Sequence, residues 1–132
     1  MKRTYETGID TNSISCAVRV GTVGVAYTSA DITRSGGQTT RVAESNEQSG
    51  SISERTIGSA SYLRDSYLVV RTIIDLSHVD KSLWAGQKDN LVIRYALNGG
   101  FSGSQVYNQD LDDINTSPDG HLIIVTKPIE LK

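Results

Sequence analysis

Apolar and polar side chains alternate most cleanly over residues 13–20, where Ile14, Cys16, Val18 and Val20 fall on one side and Ser13, Ser15, Ala17 and Arg19 on the other. A period of two marks a half-buried strand. Gly21-Thr22 offers a tight turn, and Val23, Val25 and Tyr27 then resume the alternation, so 13–29 reads as a hairpin with a bulge at Gly24. Residues 91–97, closed by Asn98-Gly99-Gly100, predict another strand. So do residues 121–126, which come after the turn Ser117-Pro118-Asp119-Gly120 with its proline at the second position. Residues 104–107 and 111–115 are weaker candidates. Pro128 lacks a backbone donor and is expected to confine the C-terminal segment to a sheet edge.

Three stretches are less plain. Over residues 61–76, Tyr62, Leu63, Tyr67, Val70, Ile73 and Ile74 share one side of a helical wheel, but Leu68 breaks that side. The density of β-branched residues favours a central strand covered on both faces. Residues 28–61 carry few large apolar side chains, namely Ile32, Val42, Ile52 and Ile57, so an edge hairpin, a mobile loop and an exchanged arm all fit. Within it, 52–57 keeps no strict period, and its register is weakly specified. Residues 77–90 suit a short helical turn near 78–86, capped by Ser77 or Asp80 and stopped by Gly86.

Composition agrees with this pattern, since Val, Ile and Thr outnumber Ala and Leu by about two to one. The 132 residues suit a single domain spanning 1–132, and no repeat suggests a propeller or solenoid. The expected fold is an all-β antiparallel sandwich, jelly-roll-like or Greek-key, with the one helical turn. A net charge of -2 and the lack of a basic run argue against nucleic acid as a partner. No apolar run approaches the roughly 20 residues of a transmembrane helix, and the N-terminus does not lead into one as a signal peptide does. A soluble protein, cytoplasmic by preference, is expected. The lone Cys16 reads as a small buried hydrophobe.

Chemistry-bearing residues are sparse. The acidic stretch with Asp110, Asp112, Asp113 and Asp119 is the candidate metal site, because hard cations want several oxygens from one loop; calcium is the ion in view. It does not match the EF-hand pattern, with Asn115 where glycine is wanted and His121 where glutamate is. Trp84, His78, Asp80, Phe101 and Tyr107 lie on or beside long connections and are the candidates for ligand or partner binding. Arg19, Arg71 and Arg94 fall inside predicted strands, where guanidinium groups can join cross-strand or intersubunit pairs. No nucleophile elbow or phosphate loop is present. The favoured reading is a non-enzymatic module for partner recognition or assembly, self-associating as a homo-oligomer or binding a protein partner. The alternatives are a small hydrolase or isomerase using an Asp/His pair, and a module binding sugar, another small ligand or calcium.

Overall fold

The computed structural model describes residues 3–132. The strands are β1 (Arg3–Tyr5), β2 (Ser13–Gly21), β3 (Val25–Arg34), β4 (Thr39–Glu44), β5 (Ile52–Ser59), β6 (Ser66–Asp75), β7 (Val92–Asn98), β8 (Gln105–Asn108), β9 (Ile114–Thr116) and β10 (Leu122–Leu131). Two short helices, α1 (Ala60–Leu63) and α2 (Trp84–Asn90), interrupt them. One sheet has the order β1-β10-β6-β3-β4, with β9 also on β10; the other is β5-β2-β7-β8. The chain passes repeatedly from sheet to sheet, and the two layers form the expected sandwich. No helix among the described residues is long and apolar enough to cross a membrane.

The core runs along the period-two tracks. Ile14, Cys16 and Val18 on β2 and Ile93, Tyr95 and Leu97 on β7 face Leu68, Val70 and Ile74 on β6 and Ile123, Val125, Ile129 and Leu131 on β10. Burial pushes the Cys16 thiol up to about 12, which keeps it an inert apolar filler at neutral pH. Thr28 and Thr72 sit directly opposite each other on β3 and β6, fully buried, and their hydroxyls satisfy one another at 2.9 Å.

Several local expectations change. Residues 13–29 are not a hairpin, because β2 and β3 belong to different sheets. Gly24 is the crossing point and not a bulge: a Cβ there would lie 2.7 Å from Ile74 Cγ2 and 2.8 Å from the Asp75 carbonyl oxygen. Residues 61–76 resolve into α1 and the central strand β6, which pairs along its length with both β3 and β10. The 28–61 stretch places edge strands on both sheets, β4 on one and β5 on the other. The weak period of β5 appears as register shifts against β2. Pro128 does not push the chain to an edge, since β10 remains paired with β6 throughout. The outer side of β10 pairs with β9 up to Val125 and with β1 from Ile129, so Pro128 falls in the gap where no ladder is required. The β1–β10 pairing is parallel, the exception in an otherwise antiparallel sandwich. The helical turn runs longer than 78–86: a 3₁₀ turn at Lys81–Leu83, capped by Asp80, leads into α2, which carries Gly86 inside it.

Replacing Gly24 with alanine forces a methyl into Ile74 and the β6 backbone, and such overpacking costs about 1–3 kcal/mol. Denaturant unfolding of Gly24→Ala beside Gly36→Ala, where no atom lies within 4 Å, checks it. The strain of alanine at Gly36, whose φ is 98°, is the background above which a steric effect at Gly24 is read.

Candidate functional site

Two clusters gather the chemistry-bearing residues. The first closes one side of the sandwich. Residue 127 lies on the inward track of β10, between Val125 and Ile129, yet it is a lysine with no exposed surface. A bare ammonium there would cost several kcal/mol, so it needs partners. The 3₁₀ turn Leu111–Asp113 supplies them: Lys127 Nζ lies 2.5 Å from Asp110 Oδ2 and 2.9 Å from Asp113 Oδ2. The Asp110 N–H donates to Asp113 Oδ2 at 2.8 Å, and Arg3 Nη2 donates to Asp110 Oδ1 at 2.9 Å. Arg3 and then Lys127 hold the Asp110 carboxyl down to about 2. Tyr95 directs its ring into the core, and its hydroxyl has no partner among the described residues. Burial, and then the charges of Asp113 and Asp110, push that phenol up, so it stays protonated.

Carboxylate oxygens of Asp110, Asp112 and Asp113 do come within 4.8 Å of one another, as the sequence suggests for a metal. The positive charge facing Asp110 and Asp113 is the lysine's own. Asp119 stands outside this group, in the 117–120 turn. A strand ended at residue 126 leaves Lys127 out. Carried through Pro128, the alternation of Ile123, Val125, Ile129 and Leu131 exposes a lysine on the apolar track.

The second cluster lies at the end of the sandwich where Asp75 pairs with Leu122. Here the 76–91 connection meets the 117–121 turn, tied by Leu76 N–H to the His121 carbonyl at 2.7 Å. Trp84 opens α2 and is half-buried, with its indole N–H donating to the Val79 carbonyl at 2.9 Å. His121 sits 6.3 Å from it, ring centre to ring centre, and Lys81 Nζ lies 6.0 Å from the indole centre. Trp84 and Lys81 border a cleft of about 330 Å³ lined also by Lys88, Thr116, Asp119 and Ile123, among others. Gly120, at φ 84°, makes the sharp turn beside the indole.

Hydrogen bonds and nearby charge lower the acids at this end of the sandwich. His121 Nδ1 and Asp119 Oδ1 are 2.5 Å apart, and Ser117 Oγ donates to the same carboxylate oxygen at 2.9 Å. His121 first, then its own backbone N–H and the Ser117 hydroxyl, hold Asp119 down to about 2. Asp75 is lowered chiefly by the Ser77 N–H, with His121 and His78 adding to it. Asp80 is lowered by the backbone and hydroxyl of Ser82 and serves as the cap of the 3₁₀ turn. Trp84, His78 and Asp80 thus share one end of the fold, joined by Asp119 and by His121, which is absent from the binding candidates read off the sequence. The signal for His121 is its place right after a Pro-Asp-Gly turn.

Phe101 and Tyr107 are not part of this end. The Phe101 N–H donates to the Thr7 carbonyl, and Thr7 in turn bonds the Lys132 carbonyl, which puts Phe101 at the far end of β10. A ten-residue strand spans about 30 Å, too long for Phe101 and Trp84 to line one pocket. Tyr107 is half-buried and donates its hydroxyl to the Thr4 carbonyl at 3.0 Å, a structural tie between β8 and β1.

Because the folded Asp110 pKa is depressed, its stabilising contribution is complete above the unfolded value near 4 and drains away as pH falls toward 2. Asp119 contributes with the same sign. Unfolding free energies measured from pH 5 to pH 2.5 are therefore expected to fall steeply, and Arg3→Gln, which removes the largest cause at Asp110 alone, to flatten the fall. An equal slope in both proteins contradicts the assignment.

Comparison with protein families, curated proteins and solved structures returns no match to this chain.

Proposed function

We propose that this protein is a non-enzymatic recognition module whose cleft at the Trp84 end takes an acidic saccharide. The observation that carries the reading is the composition of that cleft: a half-buried indole flanked by two lysines and one carboxylate. A sugar ring offers an apolar face to an aromatic surface, as amphipathic rings commonly provide at binding sites. Lys81 and Lys88 suit a carboxylate or sulfate on that sugar, and Asp119 suits its hydroxyls. The volume falls at the lower end of the range usual for small-ligand sites, about 300–1,000 Å³.

The hydrolase or isomerase alternative has one element in its favour, the close His121–Asp119 pair. Against it, Ser117 spends its hydroxyl on Asp119, and the imidazole bonds that same carboxylate and no hydroxyl or thiol among the described residues. Acid–base work needs a group aligned on the reacting atom, and binding does not.

A second reading, self-association, is favoured by a different surface. Ile9 and Phe101 are 78% and 79% exposed and together border grooves at the opposite end of the sandwich. Paired large apolar side chains left in water mark contact surfaces.

The chain has a single tryptophan, so indole emission reports the cleft directly. Titration with oligogalacturonate or heparin-derived oligosaccharides is expected to shift that emission saturably. Lys81→Ala with Lys88→Ala should weaken binding about tenfold or more, as loss of charge-assisted hydrogen bonds does. An emission spectrum unmoved by every acidic saccharide, with wild-type folding intact, ends the proposal. For the second reading, light scattering at high concentration is expected to give a mass above 14.3 kDa that drops to the monomer value in Phe101→Asp; a monomeric wild type rules it out.

A further inference from the structure

The outer face of the β5-β2-β7-β8 sheet carries an arrangement that neither cluster uses. In the β2–β7 ladder Arg19 stands directly opposite Arg94, and Arg94 in turn opposes Asn108 on β8. Both arginines are exposed, and neither guanidinium has a hydrogen bond or ion pair among the described residues. On the β5 side, Ser51 Oγ accepts the Val20 N–H at 3.0 Å, which leaves its own proton to donate. The row therefore consists of donors, Ser51, Arg19, Arg94 and Asn108, with no carboxylate in it. Like charges placed directly opposite on one face of a ladder are destabilising. The positions to either side are small or apolar: Ala17 opposite Ala96, and Gly21 opposite Val92. They leave a shallow cleft of about 250 Å³ lined by Arg19, Val20, Gly21, Ser51, Val92 and Arg94.

The geometry points to an oxyanion site, in which a phosphate group sits between the Arg19 and Arg94 guanidiniums and takes a further hydrogen bond from the Ser51 hydroxyl. An anion there converts the cross-strand repulsion into two charge-assisted attractions. Guanidinium forks match the oxygens of phosphate in pairs. Ala17, Ala96 and Gly21 leave room for the anion beside the two guanidiniums, and Val92 walls one side of the cleft. The site is separate from the Trp84 cleft, whose positive groups are lysines on another segment.

The test is calorimetric titration with inorganic phosphate and, in parallel, with the monoester glycerol 2-phosphate, at constant ionic strength made up with chloride. Saturable binding of either supports the site; tighter binding of the free dianion identifies a free ion as its occupant, and tighter binding of the monoester a phosphoryl group borne on a larger molecule. Arg94→Gln and Arg19→Gln are each expected to weaken binding about tenfold or more. Arg71→Gln, on β6 of the other sheet, should leave it unchanged. Melting temperatures add a readout that a structural role for the arginines does not share. In chloride the Arg94→Gln protein should melt no lower than wild type, because a repulsion is relieved, and only wild type should gain stability from phosphate. Heats no larger than those of the chloride blank, or phosphate binding that survives in the double variant Arg19→Gln with Arg94→Gln, overturn the proposal.

Discussion

Lys127 occupies a position on β10 where the alternation calls for another Val or Ile, and an ammonium is tolerable there only because Asp110 and Asp113 come to it. That requirement reaches well beyond one side chain. It fixes the 3₁₀ turn that carries the two acids, and through Asp110 it engages Arg3 on β1. The outer side of β10 has its ladder gap at this same level, between β9 and β1. An ionic cluster thus closes the flank that strand pairing leaves open. A buried pair of this kind adds little net stability over a well-packed hydrophobic substitute, but losing one partner is severe. What it does in the fold is join segments: the acidic turn and β1 are tied to β10 at the level where the β9 and β1 ladders leave it unpaired.

With that flank closed, the fold offers its remaining features at its two ends and on the outer faces. The Trp84 end is built by a long connection and a tight turn, each tethered to the strand termini by backbone hydrogen bonds. Such loops on a rigid scaffold are where binding residues usually sit. The opposite end exposes Ile9 and Phe101 from loops tied to Thr7 and to the last residues of β10. Separation by the length of a strand makes these surfaces independent, so one molecule has room for a ligand at one end and a copy or partner at the other.

Strand content, the two-layer arrangement and the inward residues of β2 are legible in the sequence, the last because alternation depends on neighbours two positions apart. β6 reads instead as a strand covered on both faces, whereas it alternates, with Leu68, Val70 and Ile74 inward and Arg71 exposed. Which sheet a strand joins is not legible. The Gly21-Thr22 pair reads as a hairpin turn locally, and only the close approach of Gly24 to Ile74 and Asp75, fifty residues away, shows the segment to be a crossing. Pro128 misleads for a related reason, since a proline breaks a ladder only where a ladder is needed, and the gap between β9 and β1 is a tertiary fact. Among candidate site residues, His78, Asp80 and Trp84 are close in sequence and stay together, whereas Phe101 and Tyr107 scatter. The acidic stretch is visible as a cluster of charges, but its counter-charge lies fourteen residues on, hidden inside an apolar strand.

A net charge of -2 says nothing of how charge is distributed, and here the distribution matters more than the sum. Lys127 and Arg3 are spent on Asp110 and Asp113, and Arg41 on Asp31 and Glu44. Lys81 and Lys88 border the aromatic cleft, and Arg19 and Arg94 face each other on an open sheet surface. The acidic excess is partly locked in caps and turns, where Asp75, Asp80 and Asp119 hold backbone N–H groups. Carboxylates used in this way satisfy the chain itself and are less free to draw cations, while cations without an ion pair stand in twos at the aromatic cleft and on the open sheet face. A protein that is mildly acidic overall therefore presents, to anything small enough to enter those places, a locally basic surface.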